Sequence, residues 1–402
     1  MNLGVHEIKA PVAKSYDKVL LLIMLLLLAF GSLMIYSSTS VITPLLAKKN
    51  ITEFYYFKRH ILTMVLGSLV LLFTYSLKPA VLERFSLPLL VFSFVLLCSV
   101  FLPHIGVTAG GARRWIRLWP TTFQPSELVK LAMVIFLARY MSSPGYNTES
   151  FGSFAKPILI MAAFQLVFLK QPDFGSTMSL AFLTFAMLFI SGMRLRYIAS
   201  VLILALPVVY KLVMEPYRLR RITSFLDPWK DPLDSGFQLV QSFISLGSGG
   251  IDGLGLGESK QKLSFLPASH TDFIFCLVGE ELGLIGASVL IALFLFLFIK
   301  GISIASRSND KFVCYLAYGL TLMISLQALI NFAVVTGLVP TKGLPLPFLS
   351  YGGSALLVNM AAVGLLLKIS KGEDEKVVAE DSAAKARRIA RRNIYARKGC
   401  GK

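Results

Sequence analysis

Long apolar runs, separated by shorter polar intervals, recur along this chain from residue 17 to residue 370. A helix needs about 20 mostly apolar residues to cross the hydrocarbon of a bilayer. Runs of that kind lie near 17–38, 58–77, 85–104, 126–142, 154–170, 174–193, 197–214, 272–299, 312–337 and 354–370. The pattern predicts an all-α membrane protein, a polytopic bundle of about ten transmembrane helices. The first run is too long for a signal-peptide core and lacks a small-residue cleavage site, so it counts as a span. The fourth is the weakest, being short and carrying Glu127, Lys130 and Arg139.

An even number of spans puts both ends on one side. Lysine and arginine concentrate in cytoplasmic loops. With the N-terminus inside, the inner segments hold Lys9, Lys14, Lys18, Lys78, Arg84, Arg139, Lys156, Arg194, Arg196, Lys300, Arg307 and Lys311. The chain then divides into a cytoplasmic N-terminal segment 1–16, a membrane domain 17–370 and a basic cytoplasmic tail 371–402. The outer intervals are 104–126, 170–174, 215–271 and 338–353. Of these, 215–271 is a large extracytoplasmic loop whose glycines and prolines predict short helices and turns.

Composition fits this layout. Of 402 residues, 55% are hydrophobic and only 15% charged, too few charges to cover a water-soluble globule. The formal charge of +18 raises the question of nucleic acid. Much of that charge sits in the tail Lys385–Lys402, beside the last span, where an anionic leaflet attracts basic residues. Membrane lipid is therefore the expected partner of the tail, with no nucleic acid. Cys98, Cys276, Cys314 and Cys400 show no metal-ligand or disulfide spacing.

The candidate chemistry gathers in the outer intervals. Arg113, Arg114 and Arg117 crowd one, and Arg218, Arg220 and Arg221 another, against the positive-inside trend. Either they snorkel to headgroups, or guanidinium forks form a site for phosphate. Ser126 is placed to cap the fourth helix. Glu127 and Lys130 are spaced to meet on one helix face, as a structural clamp or as a substrate contact. Asp173 reads as the N-cap of the sixth span. The glycines of 247–257 lack the lysine of a phosphate-binding loop and let backbone pass close to a neighbour or a ligand.

Asp272 begins the eighth span, near His270. It is either a helix cap or a partly desolvated carboxylate able to act as base or metal ligand. On a straight helix Glu280 lies about 80° around from Asp272 and roughly 12 Å further in. Glu280 and Glu281 are open to function or to structural pairing. The prolines Pro340, Pro345 and Pro347 forbid a regular helix and predict a kinked segment lining a cavity, with Lys342 as a further cation.

Taken together, the stretches GARRWI, FQPSELVKLA, QPDFGS, FLDPW, GFQLVQS, GLGLGESKQKLSFLPASHTDFIF, GEELGLIG and KGLPLPFLSYGGS resemble the SEDS family (shape, elongation, division and sporulation) of bacterial cell-wall proteins. The match runs from about residue 111 to 354 in the same order, and Thr341-Lys342-Gly343 looks more like the division branch than the elongation branch. The resemblance implies a peptidoglycan glycosyltransferase acting on lipid II in the bacterial inner membrane at the division septum. It implies a class B penicillin-binding transpeptidase and other division proteins as partners. The family's essential aspartate falls on Asp272, and its fourth-helix ion pair on Glu127 and Lys130. Arg113, Arg114, Trp115, Gln238, His270, Lys342 and Ser350 complete the expected substrate contacts, and a divalent cation, Mg²⁺ or Mn²⁺, is an optional helper held by Asp272. Two rival readings are a lipid II flippase, with a polar path through Glu280 and Glu281, and a non-enzymatic division scaffold.

Overall fold

The computed structural model describes residues 16–39, 55–109, 112–118, 121–261, 271–341 and 343–371. His270, Lys342, Cys400 and the basic tail lie outside them. A helix stands on each of the ten apolar runs. These are α1 (Lys18–Thr39), α2 (Tyr55–Ser76), α3 (Pro79–Ser99), α4 (Pro125–Ser142), α5 (Phe151–Lys170), α6 (Phe174–Ile190), α7 (Leu195–Val213), α10 (Ile274–Ser306), α11 (Lys311–Val335) and α12 (Gly353–Lys371). Two shorter helices, α8 (Pro216–Leu226) and α9 (Phe237–Ser248), fall in the interval 215–271, as its composition predicts. The chain is a multi-pass membrane protein. Among the described residues, seven helices, namely α1, α2, α3, α5, α10, α11 and α12, are long and apolar enough to cross a bilayer by length and composition. Of the other three, α4 carries three charges in 18 residues and α6 has 17 residues.

Burial sorts the helices into a centre and a rim. The apolar window of α12 is 78% buried and that of α3 only 22%. The rim helices present Leu69, Leu72, Phe73, Phe92 and Val95 outward, as a lipid-facing surface requires. Helices meet through small residues, because lipid and leucine are equally apolar and close backbone approach must supply the attraction. A Cβ on Gly67 of α2 would overlap Met360 of α12, and one on Gly364 would overlap Leu71 and Thr74. The Thr74 hydroxyl donates across that contact to the Ala361 carbonyl at 3.2 Å.

The interval 104–126 is not a plain loop. It folds into an antiparallel sheet, β1 (Gly106–Ala109), β2 (Ala112–Leu118) and β3 (Thr121–Phe123), in the order β1-β2-β3. Ala109 pairs with Ala112, leaving Gly110-Gly111 between the strands, the spacing of a two-residue hairpin. The strict all-α expectation is corrected here. Val107, Thr108, Trp115 and Ile116 favour a pleated surface, and they pair as Val107 with Trp115 and Gly106 with Ile116.

The second correction concerns α10. Gly283 sits at φ 64°, ψ −163°, a conformation open to glycine and closed to other residues. Phe332 of α11 lies 4.8 Å from the Phe275 ring and 5.6 Å from the Phe294 ring. Across the 19 residues from 275 to 294, an unbroken helix would separate those positions by about 28 Å. The two arms of α10 therefore fold back at Gly283, and Glu280 and Glu281 lie at the far end of the short arm that Asp272 precedes. The arm 284–306 is about 34 Å long by itself, enough for a bilayer core of about 30 Å.

The glycine-rich turn explains how the break is tolerated. A break in a helix strands carbonyls and amides that must find partners away from water. Here Leu254 N–H donates to Glu280 O at 2.9 Å and Gly255 N–H to Glu281 O at 3.0 Å. Leu284 N–H donates to Gly250 O at 3.0 Å. The approach is so close that a Cβ on Gly249 would overlap the Gly279 carbonyl, and one on Gly253 the Glu281 carbonyl.

Candidate active site

Asp272 stands in the turn just before α10 and is partly buried. Its backbone is tied down on both sides. The Ser350 hydroxyl donates to the Thr271 carbonyl, while its oxygen accepts from Leu346 N–H at 2.7 Å. The Asn331 amide of α11 donates to the Asp272 carbonyl and to the Leu344 carbonyl, each at 2.8 Å. Among the described residues, none donates a hydrogen bond to the Asp272 carboxylate. Its Oδ2 rests on Gly343, where a Cβ would stand 2.5 Å from that oxygen.

The proline-broken strap 343–350 supplies this seat. Prolines leave neighbouring carbonyls without helical partners, and buried carbonyls need donors. Asn331 serves Leu344, and Gln327, one helical turn below it on α11, serves Pro345 at 2.8 Å. The other end of the Gln327 amide accepts from Lys130 Nζ at 2.7 Å. Lys130 in turn pairs with Glu127 Oε1 at 2.8 Å. All four side chains of this ladder are 1–2% exposed. The pair Glu127–Lys130 is thus joined to the strap through Gln327.

Among the described residues, Arg114 is the cation whose charge acts on Asp272. Thr108 pairs with Arg113 and Val107 with Trp115, so the register shifts at Arg114, and a bulge of this kind re-aims a side chain. Arg114 is held by the carbonyls of Gln171 and Pro172, and lies 3.8 Å from Asp173. Arg113 donates instead to the carbonyls of Phe101 and Leu102 at 3.2 and 2.9 Å, beyond the end of α3. Burial pushes the Asp272 carboxyl up from its usual 3.8 to about 6, and Arg114 opposes the rise. Asp173 caps α6, accepting from Ser176 N–H at 3.2 Å. Ser126 caps nothing: Gln124 takes the cap position, Pro125 opens α4, and the buried Ser126 hydroxyl has no partner among the described residues.

Of the other sequence candidates, Trp115 lies on β2 opposite Val107, and Gln238 is half-buried in the first turn of α9. Arg220 pairs with Asp231 and Asp234. Glu280 accepts from Ser245 at 3.1 Å, Ser259 at 2.6 Å and Lys260 N–H at 2.9 Å. Glu281 accepts from Ser37 of α1 at 2.6 and 2.7 Å. Both glutamates fasten elements together. Sequence reasoning missed Gln327 and Asn331. The available signal was two amide side chains four residues apart in an apolar run, where interhelical hydrogen bonds are expected. Among the described residues there is no group of three or more His, Cys, Asp or Glu side chains that could hold a metal. A cation shared between one carboxylate and substrate phosphates needs no such cage, and Asp272 fits that role.

The family model for the cell cycle proteins FtsW, RodA and SpoVE matches residues 17–375. A relative from Geobacter sulfurreducens, named "Probable peptidoglycan glycosyltransferase FtsW", is 42% identical over 372 residues, covering 92% of this chain and 98% of that protein. Stage V sporulation protein E of Bacillus subtilis is 40% identical over 360 residues, covering 89% and 97%. A chain in the solved structure described as "Structural coordination of polymerization and crosslinking by a peptidoglycan synthase complex" superposes with a TM-score of 0.73 at 28% identity, covering 88% of this chain and 97% of that one.

Proposed function

This chain belongs to the FtsW, RodA and SpoVE family of cell cycle proteins, and from that premise we propose that it is a peptidoglycan glycosyltransferase that polymerises lipid II during cell division. The observation that carries the reading is the Asp272 seat. A carboxylate is fixed through its backbone, left without hydrogen-bond donors among the described residues, and pushed up to about 6 by burial. A general base works best with a pKa near the working pH. Asp272 takes the proton from the acceptor sugar 4-hydroxyl as that oxygen bonds the donor anomeric carbon. The bond from that carbon to the pyrophosphate oxygen breaks, and undecaprenyl pyrophosphate leaves.

Arg114 stabilises the charge that develops on the leaving group, and Lys342, next to Gly343 in the chain, adds a second cation. Arg113, spent on the end of α3, holds the sheet that aims Arg114. In the alternative role, Asp272 would hold a divalent cation, which would supply charge neutralisation. The proposed setting is the bacterial inner membrane at the septum, with about ten spans, both termini cytoplasmic and 215–271 outside. A class B penicillin-binding transpeptidase is the proposed partner, supported by the likeness to a chain from a peptidoglycan synthase complex. The test is strand synthesis from purified lipid II by the reconstituted complex. Asp272→Ala is expected to make no strands, and full polymerisation by that variant overturns the proposal.

A further inference from the structure

We infer that Asn331 of α11 is a positioning residue for the reaction, one that sets the height of the Asp272 carboxylate over the proline-broken strap. The inference rests on the catalytic reading of Asp272 given above. Its basis is the way one amide serves two segments. Asn331 Nδ2 donates to the carbonyl of Asp272 and to that of Leu344, both at 2.8 Å. Both neighbours can only accept, so the amide has one allowed orientation. The residue is 1% exposed, and its Oδ1 has no partner among the described residues. Its contacts to the strap and to the turn therefore run through one nitrogen.

The alternative, that Asn331 only fastens α11, fits less well. Fastening the strap to α11 is already done by Gln327 on Pro345, and a second tether to Leu344 alone would suffice. The added bond to Asp272 locks the spacing between the carboxylate's own residue and Gly343, on which its Oδ2 rests. Helix α11 supplies a rigid rail for this, since Gln327 is anchored in turn through Lys130 and Glu127 to α4.

Misplacing a reacting group by about 1 Å costs on the order of 100-fold in rate. With the full-length protein in its reconstituted complex, Asn331→Leu is expected to lower kcat by about 10- to 100-fold, with KM for lipid II within about threefold, as expected when transition-state alignment is lost and ground-state binding kept. Asn331→Asp can donate one hydrogen bond while protonated. It is expected to fall between Leu and wild type and to lose activity as rising pH ionises it. Gly343→Ala keeps the Asn331 amide, places a methyl against Oδ2, and is expected to lower kcat similarly. Thr321→Val, which removes another buried hydrogen bond of α11, controls for a general weakening of that helix. Thermal unfolding of every complex is read alongside, and if Asn331→Leu does not fold, Asn331→Asp and Gly343→Ala decide. Wild-type kcat in the folded Asn331 variants, or a loss equalled by Thr321→Val, overturns the inference while Asp272→Ala remains inactive. Strand synthesis by Asp272→Ala instead overturns the reading on which it rests.

Discussion

The short arm 274–282 has a carboxylate before one end and two at the other, and they are treated in opposite ways. Glu280 and Glu281 have their oxygens taken up by Ser245, Ser259, Lys260 N–H and Ser37. Asp272 has its backbone taken up by Asn331, and its neighbour's by Ser350, while no described residue donates to its carboxylate. A carboxylate whose lone pairs are filled by fixed donors is a fastener. One that is fixed through its backbone keeps its lone pairs for a proton or a ligand. The difference separates structure from chemistry among three acids that residue spacing alone leaves open to either role.

The largest effect that would break this contrast is on activity. Asp272→Asn keeps size and removes the base, so strand synthesis should fall by about 10² to 10⁴-fold. Glu280→Gln should leave kcat near wild type and lower the unfolding temperature instead. Equal losses of kcat in the two would erase the distinction. Next comes the buried clamp. Lys130→Met leaves Glu127 as an uncompensated buried charge, at a cost of about 3 to 5 kcal/mol. Adding Glu127→Leu should recover much of that stability, since well-packed apolar residues often replace a buried pair at little cost. Thermal unfolding of the single and double variants measures it. If the double variant recovers stability without activity, the clamp's link to the strap through Gln327 is the part that matters.

How much was legible in sequence follows the same division. The membrane helices were readable, because apolar runs in lipid leave the backbone no other way to satisfy itself. The sheet was missed because a short strand gives a weak signal beside long apolar runs, although Gly110-Gly111 marked the hairpin. The reversal at Gly283 was missed because its cause is remote: the glycines of 249–255 supply the partners that a broken helix lacks. Asp272, Glu127 and Lys130 stood out by position and spacing, and the resemblance added their expected roles. Asn331 and Gln327 did not, since an amide in an apolar run reveals its partner only when the helices are packed. The different partners of Arg113 and Arg114 followed only from the folded sheet, whose register shifts at Arg114.

The smallest effect tests the Asp272 seat against its own stability. Burial raises this carboxyl from 3.8 to about 6, so the folded state binds the proton more tightly than the unfolded state does. The associated stability is fully present below pH 3.8 and is lost as pH rises through about 6. Catalysis has the opposite sign, because the base must be ionised, and strand synthesis should fall about tenfold per pH unit below that value. Asp272→Asn cannot ionise and should therefore escape the stability loss. Each pKa unit corresponds to about 1.4 kcal/mol, which caps the gain at about 3 kcal/mol. Remaining exposure of the carboxylate brings it lower. The expected result is an unfolding temperature for Asp272→Asn above wild type at pH 8 and level with it at pH 4. An advantage of the same size at both pH values would mean that asparagine stabilises by packing, and that the site does not trade stability for a reactive carboxylate.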